Sequence, residues 1–430
     1  MGHTIQNFDT LAVNELRRDA LAIAEAGYEA VDTEKVVRGK VQVVGEELRI
    51  GDKSFNIKGR EIYFVGVGKC AFDGAEAIEK ILGEKLAGGV ALDVSLIAQS
   101  ALTKIETYIG THPLPSEANV QATTRIMEFL SGREKNDLVI MLISGGGSTL
   151  LCLPTAPMTC VDESALFEGL TAHGASIQDI NIVRKHTSRA RGGALAAAAY
   201  PAEVAALIIS DVPENDIASI ASGPTVLDST TVADAKAILA THDITASAPI
   251  EFIETPKEQK YFERVVNVLF LTNQDALSAM QTEAEKRGYA VTIADNHFSG
   301  EARELGRAVV EKLHSSQSKT VLLYAGESTV TLPPHAGTGG RNQEMALAAL
   351  ETLRDDELIL PFASDGHDNT EHAGAIGDSA TRAHAEAHNL SVTEYLHAHR
   401  SYDFFTATND ALVTGYTGSN VSDLIIALKR

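Results

Sequence analysis

A short, continuously apolar segment that ends in glycine or polar residues and leads into a helical segment recurs along the chain. The apolar segments lie at residues 61–67, 139–143, 205–209, 320–325 and 358–363. Buried strands that alternate with helices are typical of parallel sheets whose two faces are covered by helices. The sequence therefore predicts an α/β fold, with two α/β domains whose mainly parallel sheets are flanked by helices.

The chain is long enough for more than one domain. Its 430 residues correspond to two or more domains at about 100–200 residues per domain. Residues 229–260 have few buried-strand signals and many polar residues, which is typical of a domain boundary. We predict an N-terminal domain over residues 1–250 and a C-terminal domain over residues 251–430. Apolar spacing predicts a helix over residues 9–31, and alternation predicts a small hairpin over residues 41–58.

Net charge and composition exclude several classes of function. The chain has 36 Lys and Arg against 58 Asp and Glu, a formal net charge of −22, and so acidic a protein repels nucleic acid. Its three cysteines are too few for a disulfide framework and form no Cys-x-x-Cys zinc pattern. The N-terminus lacks the apolar core of a signal peptide, and no segment resembles a membrane span of about 20 residues. We therefore expect a cytoplasmic protein with no nucleic-acid or membrane partner.

The chemistry is expected at the carboxyl ends of the strands, where ligands of open α/β sheets bind. Gly66–Lys69 follows the first apolar segment and opens a helix. Lys69 can bind an anion there, or it can be an ordinary solvated lysine. The segment is neither a dinucleotide fingerprint, which needs glycine in place of Ala71, nor a P-loop, which needs glycine in place of Tyr63.

A second strand end carries a sharper signal. Ser144, Gly145, Gly146, Gly147 and Ser148 follow a strongly apolar segment without a break. Glycines at such a place leave backbone amides open to an anion, so that the loop can form a phosphate-binding nest. The alternative is a flexible turn. A flexible turn does not account well for three glycines that come immediately after a buried strand.

Other charged residues follow strands or cluster in a region that is basic for so acidic a chain. Arg184 belongs to residues 181–193, which can pair with a carboxylate or phosphate or can form a solvated helix face. Asp211 can serve as a general base or a Mg²⁺ ligand, or can form an Asx turn, and Asp365 is a second Mg²⁺ candidate. Arg341, where a helix begins, can neutralise charge on a transferring phosphoryl group.

Taken in order, these motifs resemble those of the class II glycerate kinases, the glycerate 2-kinase family that carries a MOFRL motif. The resemblance covers about residues 60–425, and its motifs are VGVGKC, THPLPSEANV, LISGGGSTLL, INIVRKHTSRARGGALA, LIISDVP with IASGPT, GEST with GGRNQEMALA, ASDGHDN and TGYTGSNVSDL. It implies a Rossmann-like N-terminal domain, a MOFRL-type C-terminal domain and an active site in the cleft between them. It also implies ATP- and Mg²⁺-dependent phosphorylation of the 2-hydroxyl of D-glycerate, giving 2-phospho-D-glycerate, by a monomer or homodimer.

The resemblance also implies roles for the residues singled out above. Lys69 and Arg341 match motif positions and would stabilise the moving phosphoryl group, while the Ser144–Ser148 amides would hold ATP phosphates. Asp211 would orient or deprotonate the acceptor hydroxyl, and Asp211 and Asp365 would bind the metal. Arg184 is expected to bind the acceptor carboxylate, and Asn342 is expected to bind substrate as well.

Several positions depart from the family pattern, and they leave alternatives open. Cys70 replaces the usual alanine, residues 214–217 and 367–369 differ from their motifs, and Tyr416 stands where proline is typical. These changes concern the acceptor more than the phosphate loop, so a longer sugar acid such as an erythronate is an alternative substrate. A hydroxypyruvate reductase is the second alternative, although no dinucleotide fingerprint supports it. A phosphosugar-sensing protein without catalysis is the third, but it does not need carboxylates at strand ends.

Overall fold

The structure is a computed structural model that describes residues 3–94, 102–212, 215–244 and 248–430. Within these ranges the strands are β1 (Val41–Val44), β2 (Glu47–Ile50), β3 (Lys53–Asn56), β4 (Ile62–Val67), β5 (Leu86–Asp93), β6 (Ile105–Ile109), β7 (Leu138–Ile143), β8 (Glu203–Ile209), β9 (Val265–Leu271), β10 (Ala290–Phe298), β11 (Thr320–Gly326), β12 (Glu357–Ala363), β13 (Gly374–Ala375), β14 (Ala411–Leu412) and β15 (Asp423–Lys429).

The helices of the described ranges alternate with these strands. They are α1 (Phe8–Leu11), α2 (Glu15–Val31), α3 (Thr33–Lys40), α4 (Ala71–Leu82), α5 (Glu117–Leu130), α6 (Gly147–Leu150), α7 (Cys160–Ala172), α8 (Ile177–His186), α9 (Ala194–Ala199), α10 (Val232–Thr241), α11 (Asn273–Lys286), α12 (Ala302–His314), α13 (Arg341–Ala349), α14 (Ser379–Ala387), α15 (Val392–His397) and α16 (Ser401–Thr408). Short 3-10 helices span Gly83–Lys85, Ile220–Ser222 and Gln259–Tyr261. No helix in these ranges is both long enough and apolar enough to cross a membrane.

Contacts between residues divide the chain into two compact units. The parallel-sheet unit lies within Thr33–Ser210 and Asn215–Leu271, and the mixed-sheet unit lies within Met1–Asp32, Asp211–Glu214 and Thr272–Arg430. This division differs from the predicted boundary at residue 250. Strand β9 pairs with β8, so the first sheet extends to residue 271, and the N-terminal helices pack with the C-terminal part of the chain.

The parallel-sheet unit is built on a six-stranded sheet in the order β6-β5-β4-β7-β8-β9, in which every neighbouring pair is parallel. Strands β4 and β7 are buried along nearly their whole length, as the apolar runs predicted. The chain extends the sheet outward from β4 to β6 and then returns to extend it in the other direction from β7 to β9. The strand order therefore reverses between β4 and β7. The predicted hairpin is a separate three-stranded antiparallel sheet, β1-β2-β3.

The mixed-sheet unit has a six-stranded sheet in the order β10-β11-β15-β12-β13-β14. Strands β10 and β11 are parallel, whereas β15 is antiparallel to both of its neighbours, β11 and β12. The predicted strands β11 and β12 do run in the same direction, but the last strand of the chain lies between them. This sheet is therefore mixed rather than mainly parallel. Helices α2 and α11 pack together, as do α12 and α13, so that helices flank this sheet as well and the α/β class is confirmed.

A buried ion cluster joins the N-terminal helix α2 to the C-terminal part of the mixed-sheet unit. Arg17, 1% exposed, donates two hydrogen bonds to Asp378 (2.8 and 2.7 Å), one to Asp410 (2.7 Å) and one to Thr381 (2.9 Å). Both carboxylates are buried as well. Because an unpaired buried charge is costly, neither aspartate tolerates the loss of this arginine.

We predict that Arg17→Met lowers the free energy of unfolding by about 3–5 kcal/mol, because it leaves two buried carboxylates without their cation. Chemical denaturation with a probe in the mixed-sheet unit measures this change. The control is Arg18→Met, which removes the same charge from the exposed next position of the same helix and should leave stability nearly unchanged. Equal effects of the two variants would contradict the role given to Arg17.

Candidate functional site

The carboxyl ends of β4 and β7 bring Lys69 and the Ser144–Ser148 loop together. In an open α/β sheet, the place where the strand order reverses leaves a gap between the two connections, and ligands bind there. The backbone N–H of Lys69 donates to the carbonyl of Gly145 (3.0 Å). A β-carbon added to Gly146 would be 3.2 Å from Cγ of Lys69, so the lysine side chain passes directly over this glycine. The sequence prediction that these strand ends meet is confirmed.

Ser144 locks the two strand ends to each other. Its N–H donates to the carbonyl of Val67 (2.9 Å), and its Oγ accepts from the N–H of Cys70 (3.2 Å). Gly68, with φ of +121°, has no room for a side chain, because an added β-carbon would be 2.1 Å from Oγ of Ser144. Glycine at position 68 is thus required by the backbone conformation and by the close approach of the loop.

The loop leaves several backbone amides available to a ligand. Within the described ranges, the N–H groups of Gly145, Gly146 and Ser148 donate no hydrogen bond, whereas that of Gly147 donates to the carbonyl of Ser144 (3.2 Å). Gly146 has φ of +79°, a conformation that favours glycine. Successive open amides beside a lysine ammonium form an anion-binding nest. This is the arrangement that the glycine pattern predicted.

A buried ion pair holds the far end of the loop. Arg191 donates to the carbonyl of Ser148 from Nε (3.0 Å) and from Nη2 (2.7 Å), and Nη2 also donates to Glu163 (2.7 Å). Burial by itself lowers the pKa of Arg191, but the negative charge of the adjacent Glu163 raises it above its usual value. The Oγ atoms of Ser148 and Ser222 lie 2.9 Å apart. Sequence reasoning missed Glu163, because it lies in α7 outside any motif; the only signal is that a buried arginine needs a carboxylate.

A cavity of about 390 Å³ lies next to the loop within the parallel-sheet unit. Arg184 forms part of its wall, with its guanidinium carbon 4.6 Å from the centre of the Phe167 ring. Burial and the neighbouring Arg191 lower the pKa of Arg184 to about 10, although Glu163 acts in the opposite direction. The structure therefore places Arg184 near the Ser144–Ser148 loop, in an environment that is unfavourable for a charged guanidinium.

In the mixed-sheet unit, Arg341 begins α13 at the end of the sheet where β11 and β12 terminate. It donates to both carboxylate oxygens of Asp423, with Nη2 at 3.2 Å from Oδ1, and its Nη1 lies 2.6 Å from Glu327. Burial by itself lowers the pKa of Arg341, but Asp423 and Glu327 raise it well above its usual value. Arg341 therefore stays charged, and a second cavity of about 330 Å³ opens beside it.

Asp368 caps the helix that carries Arg341. Its carboxylate accepts from the N–H groups of Asn342 (3.1 Å) and Gln343 (2.8 Å). Gly340 makes this possible, because an added β-carbon would be 2.1 Å from Cγ of Asp368. Asn342 is itself fully buried and donates from Nδ2 to Asp368 (3.3 Å), so it faces the interior of the unit rather than solvent.

Asp211 and Asp365 are both contacted by the segment Thr417–Ser422. Asn420 donates to Oδ2 of Asp211 (3.2 Å), Ser422 donates to its carbonyl (3.0 Å), and the N–H of Thr417 donates to the carbonyl of Asp365 (3.1 Å). The mixed-sheet unit thus brings the two predicted metal ligands to one segment. Glu214, the first residue of the departure at residues 214–217, lies outside the described residues, as does Pro213.

These two carboxylates fit the requirements of Mg²⁺ only together with other ligands. The described part of the chain has no group of three or more His, Cys, Asp or Glu that could hold a metal ion. Mg²⁺ in kinases is usually bound by one or two carboxylates, with phosphate oxygens and waters completing the shell. The residues present therefore fit Mg²⁺ that arrives with a phosphate ligand, rather than a permanently bound ion.

We predict a pH-dependent difference in stability between the protein and an Asp368→Asn variant. Burial and the nearby Asp423 raise the pKa of Asp368 to about 6, although the hydrogen bonds from Gln343 and Asn342 act in the opposite direction. The pKa of an aspartate in the unfolded chain is about 3.9. The raised pKa contributes stability that is complete below about pH 3.9 and is lost as the pH rises through about 6.

The stability advantage of the wild type over Asp368→Asn should therefore shrink between pH 4 and pH 7. Denaturation curves of both proteins across this pH range measure the difference in their free energies of unfolding. The contributions of the other titrating groups cancel in this difference, because both proteins have them. The control Asp52→Asn changes an exposed carboxyl whose pKa is lowered by its hydrogen bond with Lys53, so its difference should not shrink. A wild-type advantage that grows with pH would contradict the raised pKa of Asp368.

Comparisons with known proteins identify the family of the chain. A family model described as a domain of unknown function (DUF4147) matches residues 19–255, and the MOFRL family model matches residues 320–423. A glycerate 2-kinase of Pyrococcus horikoshii is 34% identical, over 96% of this chain and 97% of its own. A putative hydroxypyruvate reductase of Agrobacterium vitis is 40% identical, over 75% of this chain and 76% of its own.

A solved structure supports the same assignment. The crystal structure of a glycerate kinase from Thermotoga maritima matches with a TM-score of 0.82 and 31% identity, over 96% of this chain and 99% of that chain. The resemblance predicted from the order of the motifs is thereby confirmed. The chain belongs to the glycerate 2-kinase family with its DUF4147 and MOFRL regions.

Proposed function

We propose that this protein is an ATP-dependent kinase that phosphorylates the 2-hydroxyl of D-glycerate to give 2-phospho-D-glycerate. The observation that carries the proposal is the open amide loop Ser144–Ser148 with Lys69 over it, at the strand reversal of the parallel sheet. Such a loop recognises phosphate without a P-loop. Full-length relatives called glycerate 2-kinase or glycerate kinase support the same activity.

Phosphoryl transfer requires positioning and charge stabilisation more than covalent chemistry by the protein. The substrate 2-hydroxyl oxygen forms a bond to the γ-phosphorus of ATP, the bond from that phosphorus to the β,γ-bridging oxygen breaks, and ADP leaves. The amides of Gly145, Gly146 and Ser148 and the ammonium of Lys69 would hold the phosphate oxygens. Arg341 would neutralise charge on the transferring group.

Carboxylates would serve the acceptor and the metal. Asp211 would accept the proton of the 2-hydroxyl, and its orientation is fixed by the hydrogen bond from Asn420. Asp365, with Asp211 as the alternative, would bind Mg²⁺ together with phosphate oxygens. Mg²⁺ would supply positive charge that neutralises the phosphate oxygens. Asn342 would act by positioning Asp368 and α13, because its side chain is buried against them.

The departures from the family pattern have partly structural explanations. Asn369 replaces a glycine and has φ of +55°, a conformation that asparagine tolerates better than most residues. The rings of His367 and Tyr416 pack edge to face with centroids 6.0 Å apart, so these two changed positions contact each other. A related sugar acid remains the alternative acceptor, and an ADP-release assay with D-glycerate and erythronate compares the two directly.

A reductase is the second candidate, favoured by the relative called a putative hydroxypyruvate reductase. The loop after β4 offers no dinucleotide fingerprint, and a nicotinamide reaction needs one in a sheet of this kind. The experiment is a coupled ADP-release assay with D-glycerate, run beside NADH oxidation with hydroxypyruvate. ADP release without NADH oxidation supports the kinase, and the reverse supports the reductase.

We predict that Lys69→Met lowers kcat for the kinase reaction by about 10²–10³-fold, because it removes one preorganised charge from the transition state. Initial rates at saturating ATP and acceptor measure the loss. The control is Lys58→Met, in the same unit. The side chain of Lys58 is 69% exposed and forms a surface ion pair with Glu46, so this variant should keep the wild-type rate. Near-normal turnover by Lys69→Met would remove Lys69 from the mechanism.

We predict that Asp211→Asn lowers kcat by about 10²–10⁴-fold, the usual contribution of a general base. The amide retains the shape of the side chain and a hydrogen-bonding oxygen for Asn420, so the melting temperature should change little. The equilibrium affinity for ATP without acceptor should also be retained. If turnover of the variant stays close to that of the wild type, the proton is accepted elsewhere.

A further inference from the structure

The cavity of about 390 Å³ next to the phosphate loop has no role in the reaction described so far. It lies wholly within the parallel-sheet unit, between the Ser144–Ser148 loop, helix α7 and the end of α8. Its wall includes Leu114, Ser148, Thr149, Glu163, Phe167 and Arg184. Because Ser148 and Thr149 line it, the cavity is continuous with the loop that would hold the phosphates.

The accessible surface of this cavity is mainly apolar, although more than half of the residues that line it are polar or charged. Leu114, its two flanking prolines and the Phe167 ring supply flat or aliphatic surface. Nε of Arg184 is buried and has no hydrogen-bond partner within the described part of the chain, and the same holds for Oε2 of Glu163, a residue that is 1% exposed. A largely apolar cavity with polar atoms that lack partners is typical of a site for a small organic ligand.

We propose that this cavity binds the purine nucleoside of the nucleotide whose phosphates lie at the Ser144–Ser148 loop. The proposal rests on the kinase function proposed above and assigns a subsite to its nucleotide. The guanidinium of Arg184 would donate to a ring nitrogen, and Glu163 would accept from a ring or exocyclic N–H. The exposed rim near Ala172 would be the entrance for the base.

Size and charge both favour a nucleoside over the acceptor acid in this cavity. A three-carbon acid would leave most of about 390 Å³ empty, whereas volumes of this size are usual for larger organic ligands. The carboxylate of Glu163 is neutralised by its ion pair with Arg191, which leaves the carboxylate of Glu168 and the guanidinium of Arg184 as opposite charges in the wall. The wall therefore offers no net positive charge to a carboxylate ligand, so we assign Arg184 to the nucleoside instead of the acceptor carboxylate that the sequence suggested.

Equilibrium binding separates the nucleoside from its phosphates. We would measure by calorimetry, without acceptor, the affinities of the full-length protein for ATP and for inorganic tripolyphosphate, which lacks the nucleoside. The wild type should bind ATP at least about tenfold more tightly than tripolyphosphate. Arg184→Met should weaken ATP binding by about tenfold, the effect of losing one hydrogen bond to a charged group, and should leave tripolyphosphate binding within about twofold.

A second variant protects the test against misfolding. Ala172→Trp adds a large side chain at an exposed rim position, which should block the cavity without disturbing the core, and it should weaken ATP binding selectively. The control Arg38→Met removes an arginine from a half-exposed surface pair with Glu34 in the same unit and should bind both ligands as the wild type does. Equal binding of ATP and tripolyphosphate by the wild type, or wild-type ATP affinity in both cavity variants, would overturn the proposal.

Kinetics separate failure of the subsite from failure of the proposed function. If Arg184→Met raises KM for D-glycerate and leaves the affinity for ATP unchanged, the cavity binds the acceptor and the nucleoside proposal is wrong while the kinase stands. If the wild type binds ATP tightly and selectively but releases no ADP with D-glycerate or erythronate, the subsite stands and the proposed acceptor is wrong.

Discussion

The reversal of strand order between β4 and β7 is the constraint on which the parallel-sheet site depends. Two neighbouring parallel strands whose connections leave in opposite directions cannot cover the space between their carboxyl ends. Here Ser144 joins the backbones on the two sides of that space. Its Oγ accepts a hydrogen bond from the N–H of Cys70, and its N–H donates to the carbonyl of Val67. Because these bonds fix the backbone on both sides, the amides of Gly145 and Gly146 are held open instead of collapsing onto the sheet. The open amides of the proposed anion site are therefore a consequence of sheet topology and of one serine.

The buried pair Arg191–Glu163 shows why such a loop needs support from outside its own sequence. A carbonyl with two guanidinium donors, as at Ser148, is fixed more firmly than one that faces solvent. Burying both charges is costly, and pairs of this kind are often no more stabilising than apolar substitutes. The pair is better understood as a means of orienting the loop. The same glutamate reaches the cavity wall, so one side chain connects the position of the phosphate loop with the proposed nucleoside subsite.

The sequence was sufficient to predict the α/β class, the strands β4, β7, β8, β11 and β12, and the proximity of Lys69 to the glycine loop. Each of these depends on local pattern and on the rule that strand ends are adjacent. It was insufficient where the structure depends on contacts between distant segments. Glu163 has no motif, and its partner Arg191 is found only through space. The observed division differs from the predicted boundary at residue 250 because β9 pairs with β8, and the N-terminal helix belongs to the C-terminal unit because Arg17 pairs with Asp378 and Asp410. No local pattern shows these contacts. The place of β15 between β11 and β12 could not be predicted either, because its apolar sequence is compatible with any central place in a sheet.

The carboxylates that contact Arg341 determine how its guanidinium would bind an anion. Asp423 and Glu327 already contact the guanidinium, and Asp368 lies close enough to influence its pKa. In this state the arginine is neutralised by its own unit, and a phosphoryl group must compete with Glu327, the more exposed of its two partners, to be bound. The bidentate contact from the buried Asp423 fixes the plane of the guanidinium, so exchange of Glu327 for a phosphate oxygen would leave the arginine in place. An acidic protein can in this way hold a cation ready for a phosphate, because each carboxylate that leaves the arginine is replaced by an oxygen of the ligand.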